Sequence, residues 1–239
     1  MFFILSCGLY KKEHILRNCN SIDAQTNADY WHVLMIDNSR DYIPDISSSK
    51  RNAIYYNGIN GSSKNTCYAL NKFTVRTDDV VCMVDLDDEL YPNALDVLKE
   101  YYSDPKVLLT YGSYENISGK PARFNGEYKE GEDIRLTKWR CSHLKTFRVS
   151  LWMEFVRQFK CKRMCDRSGA WLKAGADMAM MMNMYEIVGW DHTRHVPEVI
   201  YRYNDLNPLS DHRVRGDKQK EMEQYIRNMK PAKKTRMIY

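Results

Sequence analysis

Short apolar runs alternate with helically spaced apolar positions through the first half of the chain. Phe2 to Cys7 is an apolar run of strand length, followed by Ile15, Leu16, Cys19 and Ile22, whose spacing puts them on one face of a helix. The pattern then repeats. Trp31 to Ile36 predicts a second strand and Ala53 to Tyr56, closed by Asn57-Gly58, a third; a helix from about Ser63 buries Cys67, Leu70 and Phe73. Val80 to Val84 predicts a fourth strand, Leu95, Leu98 and Tyr101 a helix, and Val107 to Tyr111 a fifth strand. Strand and helix in turn imply an α/β fold, with a mostly parallel sheet covered by helices on both faces.

After Gly112 the rhythm fails. Gly112 to Lys138 is rich in glycine, charge and aromatics without a clean period, and it reads as a long functional loop or irregular insertion. From Ala176 a methionine-rich helix runs to about Val188 and stops at Gly189; Pro197 to Tyr203 predicts a last strand and Gly216 to Met229 a terminal helix. Met178, Met180, Met181, Met182 and Met184 read as adaptable core filling. The sequence shows no internal repeat.

The chemistry concentrates where Val80-Val81-Cys82-Met83-Val84 ends in Asp85-Leu86-Asp87-Asp88. A buried strand that delivers three carboxylates to a sheet edge crowds like charges, which a divalent cation carrying a phosphate group would compensate. The other reading is a solvated turn capping the next helix, whose first turn suits Pro92. Asp37 ends the second strand, so both acid groups fall at strand carboxyl ends, where open α/β sheets bind ligands. An early acid of this kind can accept hydrogen bonds from a ribose or a base, and the later cluster can hold a metal on a diphosphate.

Composition sets limits. The chain has 239 residues, 44% of them hydrophobic, enough for one good-sized core. Thirty-six Lys and Arg against 31 Asp and Glu give a net charge of +5, which suits an anionic ligand but falls short of a dedicated nucleic-acid binder. Much of the surplus lies in Arg227, Lys230, Lys233, Lys234 and Arg236, read either as a solvated tail or as a contact with a membrane surface or an acidic partner.

Seven cysteines without regular spacing suggest reduced thiols in a cytoplasmic setting, most of them core residues. The opening apolar run lacks a basic leader and breaks at Gly8, so it reads as a strand and not a signal peptide. On that reading the formal sequons Asn60-Gly61-Ser62 and Asn116-Ile117-Ser118 stay unmodified.

The residues Ile36-Asp37-Asn38-Ser39, Lys64-Asn65, Asp85-Leu86-Asp87-Asp88, Ser142 to Arg148, Ala176-Asp177-Met178-Ala179-Met180, and Tyr201-Arg202-Tyr203-Asn204 with Asn207-Pro208 form an ordered set. In that order the chain resembles the family 2 glycosyltransferases of the GT-A fold, with Asp85-Leu86-Asp87 standing as the family's DXD motif. The resemblance implies a single-domain, Rossmann-type, GT-A-like sheet over 1–215, with a nucleotide-sugar half at 1–111 and an acceptor half at 112–215, followed by a helix and basic tail at 216–239. It implies that Asp37 contacts the nucleoside, that Asp85 sits at the ribose and metal, that Asp87 is the main ligand of Mn²⁺ or Mg²⁺, and that Asp177 is the catalytic base. The family often has Glu-Asp where this chain has Ala176-Asp177, which leaves a single candidate carboxylate there. Lys64 falls to the leaving diphosphate, Arg202 and Arg213 to phosphate contacts, and His212 to the metal or diphosphate.

The expected activity is metal-dependent transfer of a sugar from a nucleotide sugar, UDP-linked, to a glycan, lipid-linked or protein hydroxyl with inversion at the anomeric carbon. Two other functions stand beside it: a catalytically silent sugar-nucleotide or glycan binder, and a metal-dependent nucleotidyltransferase. Two competing constellations are weaker. Cys161, Cys165, His192 and His195 offer zinc-type ligands at a spacing longer than zinc fingers use, and Cys141 with His143 offers a nucleophile and base that would share one face of a strand.

Overall fold

A computed structural model describes residues 1–39, 44–73, 76–120, 126–208 and 216–236. The elements run β1 (Phe2–Leu9), α1 (Lys12–Asp23), β2 (Tyr30–Asp37), β3 (Arg51–Tyr55), α2 (Ser62–Phe73), β4 (Val80–Asp85), β5 (Glu89–Leu90), α3 (Ala94–Tyr101), β6 (Leu109–Asn116), β7 (Ser142–Arg148), α4 (Val149–Phe159), α5 (Ala176–Val188), β8 (Thr193–Tyr203) and α6 (Gly216–Arg227). The strands form one sheet in the order β3-β2-β1-β4-β7-β6-β8-β5. β3, β2, β1 and β4 are mutually parallel, as are β6 and β8, while β7 and β5 run against their neighbours.

β1 lies at the centre of the parallel half because it can be buried on both faces: Phe2 to Cys7 are all buried. Its register then sets the edge that matters. Leu9 pairs with Asp37 and Cys7 with Asp85, so the acid ends of β2 and β4 emerge on the same side, two strands and roughly 10 Å apart. On the other flank of β4, Met83 pairs with Lys145 of antiparallel β7; continued by two residues, that register sets His143 beside Asp85.

The core lies on both faces. One cluster joins Phe3, Leu5, Val81 and Phe147 to α2, α4 and α5; another joins Ile4, Cys82 and Val84 to Leu95 and Leu98 of α3. Ten of the thirteen residues of α5 are buried, so this helix is part of the core on nearly all sides, and its methionines are the filling that the sequence predicts. All seven cysteines are free thiols, six of them buried. No helix among the described residues is long and apolar enough to cross a membrane.

Three differences from the sequence reading have physical causes. β6 runs on to Asn116, past Gly112, because Ser113, Glu115 and Asn116 find partners on β8. β8 begins four residues earlier than the Pro197 expected, pairing Thr193 and Arg194 with β6. β7 and α4 are two elements that the periodicity did not separate, since the strand passes into the helix at Arg148 with no Gly or Pro and no side-chain cap. Within the basic run, the Arg227 guanidinium turns inward onto the carbonyls of Ile134, Arg135 and Thr137, while Lys230, Lys233, Lys234 and Arg236 are exposed.

Candidate active site

Asp37 ends β2 with both carboxylate oxygens occupied by protein donors. Oδ2 accepts the N–H groups of Asn60 (3.0 Å) and Gly61 (2.8 Å), and Oδ1 accepts from Asn65 Nδ2 at 3.0 Å. The carboxylate thus ties the loop after β3 to the head of α2. Lys64, exposed on that same first turn, donates to Asn60 Oδ1 at 2.9 Å.

The end of β4 is built differently. After Asp85 the chain turns, Asp88 N–H closing on the Asp85 carbonyl at 3.0 Å, and Asn18 of α1 donates to the Asp85 and Asp88 carbonyls at 3.1 and 3.0 Å. The turn passes close over the end of β1. A Cβ on Gly8 would stand 2.6 Å from Leu86 Cβ, so the strand can run beneath the turn only without a side chain there.

The three carboxylates that this turn presents have separate fates. Asp85 is exposed at the strand end. Asp87 is half-buried and accepts from Asn207 Nδ2 at 2.6 Å. Asp88 is fully buried, with Oδ2 accepting from the Tyr201 hydroxyl (2.6 Å) and Oδ1 from the Asn204 N–H (2.7 Å). Burial, then the neighbouring charges of Asp87 and Asp85, push the Asp88 carboxyl well above the usual carboxylate range.

Opposite them, β7 presents His143 and Lys145 two residues apart, hence on one face. His143 stacks on Tyr201 with ring centroids 4.7 Å apart and on Tyr203 at 5.5 Å. Burial, helped by the Lys145 charge, drives its pKa well below the usual histidine value and keeps the imidazole neutral. Ligand atoms of Asp85, Asp88 and His143 all lie within 4.8 Å of one another. Two carboxylates and a neutral imidazole fit a cation of the Mn²⁺ type, and a cation there would answer the negative charge buried at Asp88.

Lys145 is buried, and its Nζ stands 2.8 Å from Asp177 Oδ2 at the start of α5. Burial works against the charged lysine, but Asp177 and Asp85 hold its pKa up. Desolvation likewise opposes ionisation of Asp177, whose side chain is nevertheless 49% exposed; Lys145 overcomes it and keeps the carboxyl below the usual range. The N-cap of α5 is Gly175, with no side-chain cap bond, so Asp177 is not the capping residue.

The structure therefore brings Asp85, Asp88, His143, Lys145 and Asp177 together, and sets Asp87 on Asn207 at their margin. Arg202 alternates away from Tyr201 and Tyr203 on β8; its guanidinium meets Glu115 at 3.2 Å and Glu89 at 3.8 Å and is not directed to the carboxylates. His212 and Arg213 lie outside the described residues. The sequence reading counts Asp88 in the acid cluster but names Asp87 as the main ligand, passes over Lys145 as a partner, and takes His143 only with Cys141. The signal was present in the alternation of Cys141, His143 and Lys145 along one strand.

The competing constellations dissolve. Cys141 is fully buried, and burial pushes its thiol up to about 12, far from a nucleophilic thiolate. His192 bonds to the Lys106 carbonyl (2.8 Å) and His195 to Ser113 Oγ (3.2 Å), while Cys161 takes a bond from Asn71 of α2. His192, His195 and Cys161 are thus committed to separate neighbours, and the Cys165 thiol turns to the Cys161 carbonyl.

Residues 9–168, more than half of the chain, match the family described as Glycosyl transferase family 2. The chain belongs to that family. No curated protein matches it in sequence. Among solved structures, TarS 1-349 of S. aureus is similar with a TM-score of 0.66 at 16% identity, covering 85% of this chain and 60% of that one. The same protein in complex with UDP gives 0.66 at 16% identity, with 95% and 64% covered. The mannosyltransferase PcManGT from Pyrobaculum calidifontis, in complex with GDP-Man and Mn²⁺, gives 0.62 at 15%, with 96% and 65% covered. At such identities the likeness is one of fold. The chain spans 60 to 65% of the length of these chains.

Proposed function

We propose that the chain transfers a sugar from a nucleotide sugar to a hydroxyl acceptor, with the donor diphosphate at the carboxyl edge of β4 and a divalent cation held by Asp85, Asp88 and His143. The observation that carries this reading is the meeting of that three-ligand set with the Lys145–Asp177 pair at one edge of a family 2 fold. Structures of this fold that contain UDP, or GDP-Man with Mn²⁺, support a nucleotide sugar and a metal as the ligand classes. A UDP-linked donor is the specific choice. When bound, Mn²⁺ or Mg²⁺ would supply Lewis-acid stabilisation of the charge that develops on the leaving diphosphate.

Asp177 serves as the base. Lys145 offsets the desolvation that opposes ionisation of Asp177, so the carboxylate that is to accept the proton is present in its basic form. The acceptor oxygen attacks the anomeric carbon as the bond from that carbon to the diphosphate oxygen breaks; the acceptor proton passes to Asp177, and the diphosphate leaves with the electron pair. A single displacement inverts the anomeric configuration. Lys145 is a positioning residue that fixes the Asp177 carboxylate. Asp37 holds the 60–65 segment against the nucleoside, and Lys64 at its exposed start supplies a cation toward the phosphates.

The test is a panel of nucleotide sugars with Mn²⁺, with and without chelator, scored for release of free nucleoside diphosphate. Release that chelation abolishes is the expected result. Pyrophosphate release would instead identify a nucleotidyltransferase, and tight donor binding with no release across a panel that includes candidate acceptors would identify a silent binder.

A further inference from the structure

The second half of the chain carries two basic groups far apart in sequence: Arg157, Lys160, Lys162 and Arg163 at the end of α4 and just beyond it, and Lys230 and Lys233 after α6. The fold joins them into one surface. Arg163 Nη2 donates to the Lys230 carbonyl, and Gln158 on α4 brackets Lys233, donating to its carbonyl at 2.9 Å and accepting from its N–H at 3.1 Å. Thr235 completes the seam, its hydroxyl donating to Glu154 Oε1 at 2.7 Å. These bonds use main-chain groups of the later segment, so the side chains of Lys230 and Lys233 stay exposed beside those of Lys160 and Lys162. Glu154, buried beneath, answers Arg157. Lys234 points elsewhere, toward Asp191 at 3.5 Å.

We propose that this face docks reversibly on an anionic lipid bilayer. Two features favour a lipid surface over a soluble polyanion. Met153 and Arg157 stand one turn apart on α4, both exposed, and Lys160 follows as the left-handed C-cap of the helix; Met153, 52% exposed, thus sets an apolar side chain near the cations as an interfacial helix does. The four exposed lysines are flexible point charges; they suit a diffuse negative surface better than a fixed phosphate. The orientation also leaves the site open. α4 starts at the amino end of β4, where Val149 and Ser150 N–H bond to the carbonyls of Asp79 and Thr77, and Cys161 just past its end accepts from Asn71 in the last turn of α2, the end of α2 remote from Asp37, so both ends of α4 are tied away from the carboxyl edge that carries Asp85 and Asp88. Docking there is independent of the sugar-transfer reading.

The test is cosedimentation of the full chain with vesicles of phosphatidylcholine alone or with about 30 mol% phosphatidylglycerol. Binding to the anionic vesicles only is expected, and it should disappear as salt rises from about 0.1 M to about 1 M and the screening length falls from about 10 Å to about 3 Å. Each lysine at such a surface strengthens partition about fivefold, so changing Lys160, Lys162, Lys230 and Lys233 together to Gln should weaken it by about 600-fold. A second variant, with Lys99, Lys106, Lys129 and Lys218 changed to Gln, carries the same loss of net charge and should still sediment. Equal loss in both variants would reduce the effect to overall charge and overturn the proposal, as would equal binding to neutral vesicles. Binding to soluble polyphosphate without binding to anionic vesicles would overturn the lipid assignment in favour of a polyanion. An unchanged Tm for both variants shows that the readout concerns the surface and not folding.

Discussion

Two parallel strands, β2 and β4, end in acids on the same side of the sheet, yet the two ends are opposite in kind. At β2, Asp37 is met by three donors from the neighbouring loop and helix, so its charge is spent within the protein. At β4, Asp88 is buried beside Asp85 and Asp87, its carboxyl is driven upward in pKa, and the nearest nitrogen ligand is a neutral imidazole. Donors satisfy the first carboxylate; the second accepts from Tyr201 and Asn204 yet stays crowded by the like charges of Asp87 and Asp85, which a bound cation would relieve. The lesson is that an acid at a strand carboxyl end is a scaffold or a binding group according to what answers it, and position alone does not decide between the two.

The largest effect expected is structural. Asp37→Ala leaves the Asn60 and Gly61 N–H groups and the Asn65 amide without their acceptor, and at about 1 to 2 kcal/mol each this costs about 3 to 6 kcal/mol. Urea unfolding measures it; a loss under about 1 kcal/mol would mean that water replaces the carboxylate and that Asp37 is not the tie described. Next comes chemistry. Asp177→Asn keeps the size of the side chain and should leave donor affinity intact while lowering transfer by roughly 10²- to 10⁴-fold. Near-parental turnover would remove the base from this residue.

The third prediction separates the two strand ends directly. Asp88→Asn keeps the shape of the side chain but removes the carboxylate that Asp85 and Asp87 crowd, and it should abolish the rise in Tm that Mn²⁺ with UDP confers. That rise corresponds to about 2.7 kcal/mol at a hundred times the dissociation constant. His143→Ala should also abolish it, and a variant of Asp87 should retain most of it; the reverse order would restore Asp87 as the principal ligand.

The smallest effect extends the comparison to a third carboxylate. Glu154 takes donors from Arg157, Gln158 and Thr235 and resembles Asp37; the Arg157 bonds, with help from the other two, lower its pKa from 4.5 to about 2. Because the folded-state value is the lower one, the stability it adds is present above pH about 4.5 and is lost as pH falls toward about 2. Glu154→Gln should flatten the acid limb of the stability profile by about 2 kcal/mol. An unchanged acid limb would show that these hydrogen bonds are not kept in solution.

The contrast also explains what could be read from the chain. The parallel half was legible because each strand is a bounded apolar run and each helix has a clear face; the acid ends followed from the same runs. β7 and α4 were obscured because Ser142-His143-Leu144-Lys145-Thr146 places polar groups at the site and no turn residue marks where the strand gives way to the helix at Val149. In hindsight Val149, Trp152, Phe155 and Phe159 carry helical spacing. The choice among Asp85, Asp87 and Asp88 was beyond local pattern. It is made by Tyr201, Asn204 and Asn207, more than a hundred residues away, which fix one acid inside and another at the margin.

Gly8 carries a consequence of another sort. It has no side chain, touches none of the candidate ligands by charge or hydrogen bond, and contributes nothing to a catalytic inventory, yet the turn bearing the acids rests on it with no room for a single carbon. In a mutational scan scored by activity, such a position would register as sharply as a catalytic acid. Whoever mapped function from the scan alone would assign chemistry to a residue whose whole contribution is the space it leaves empty.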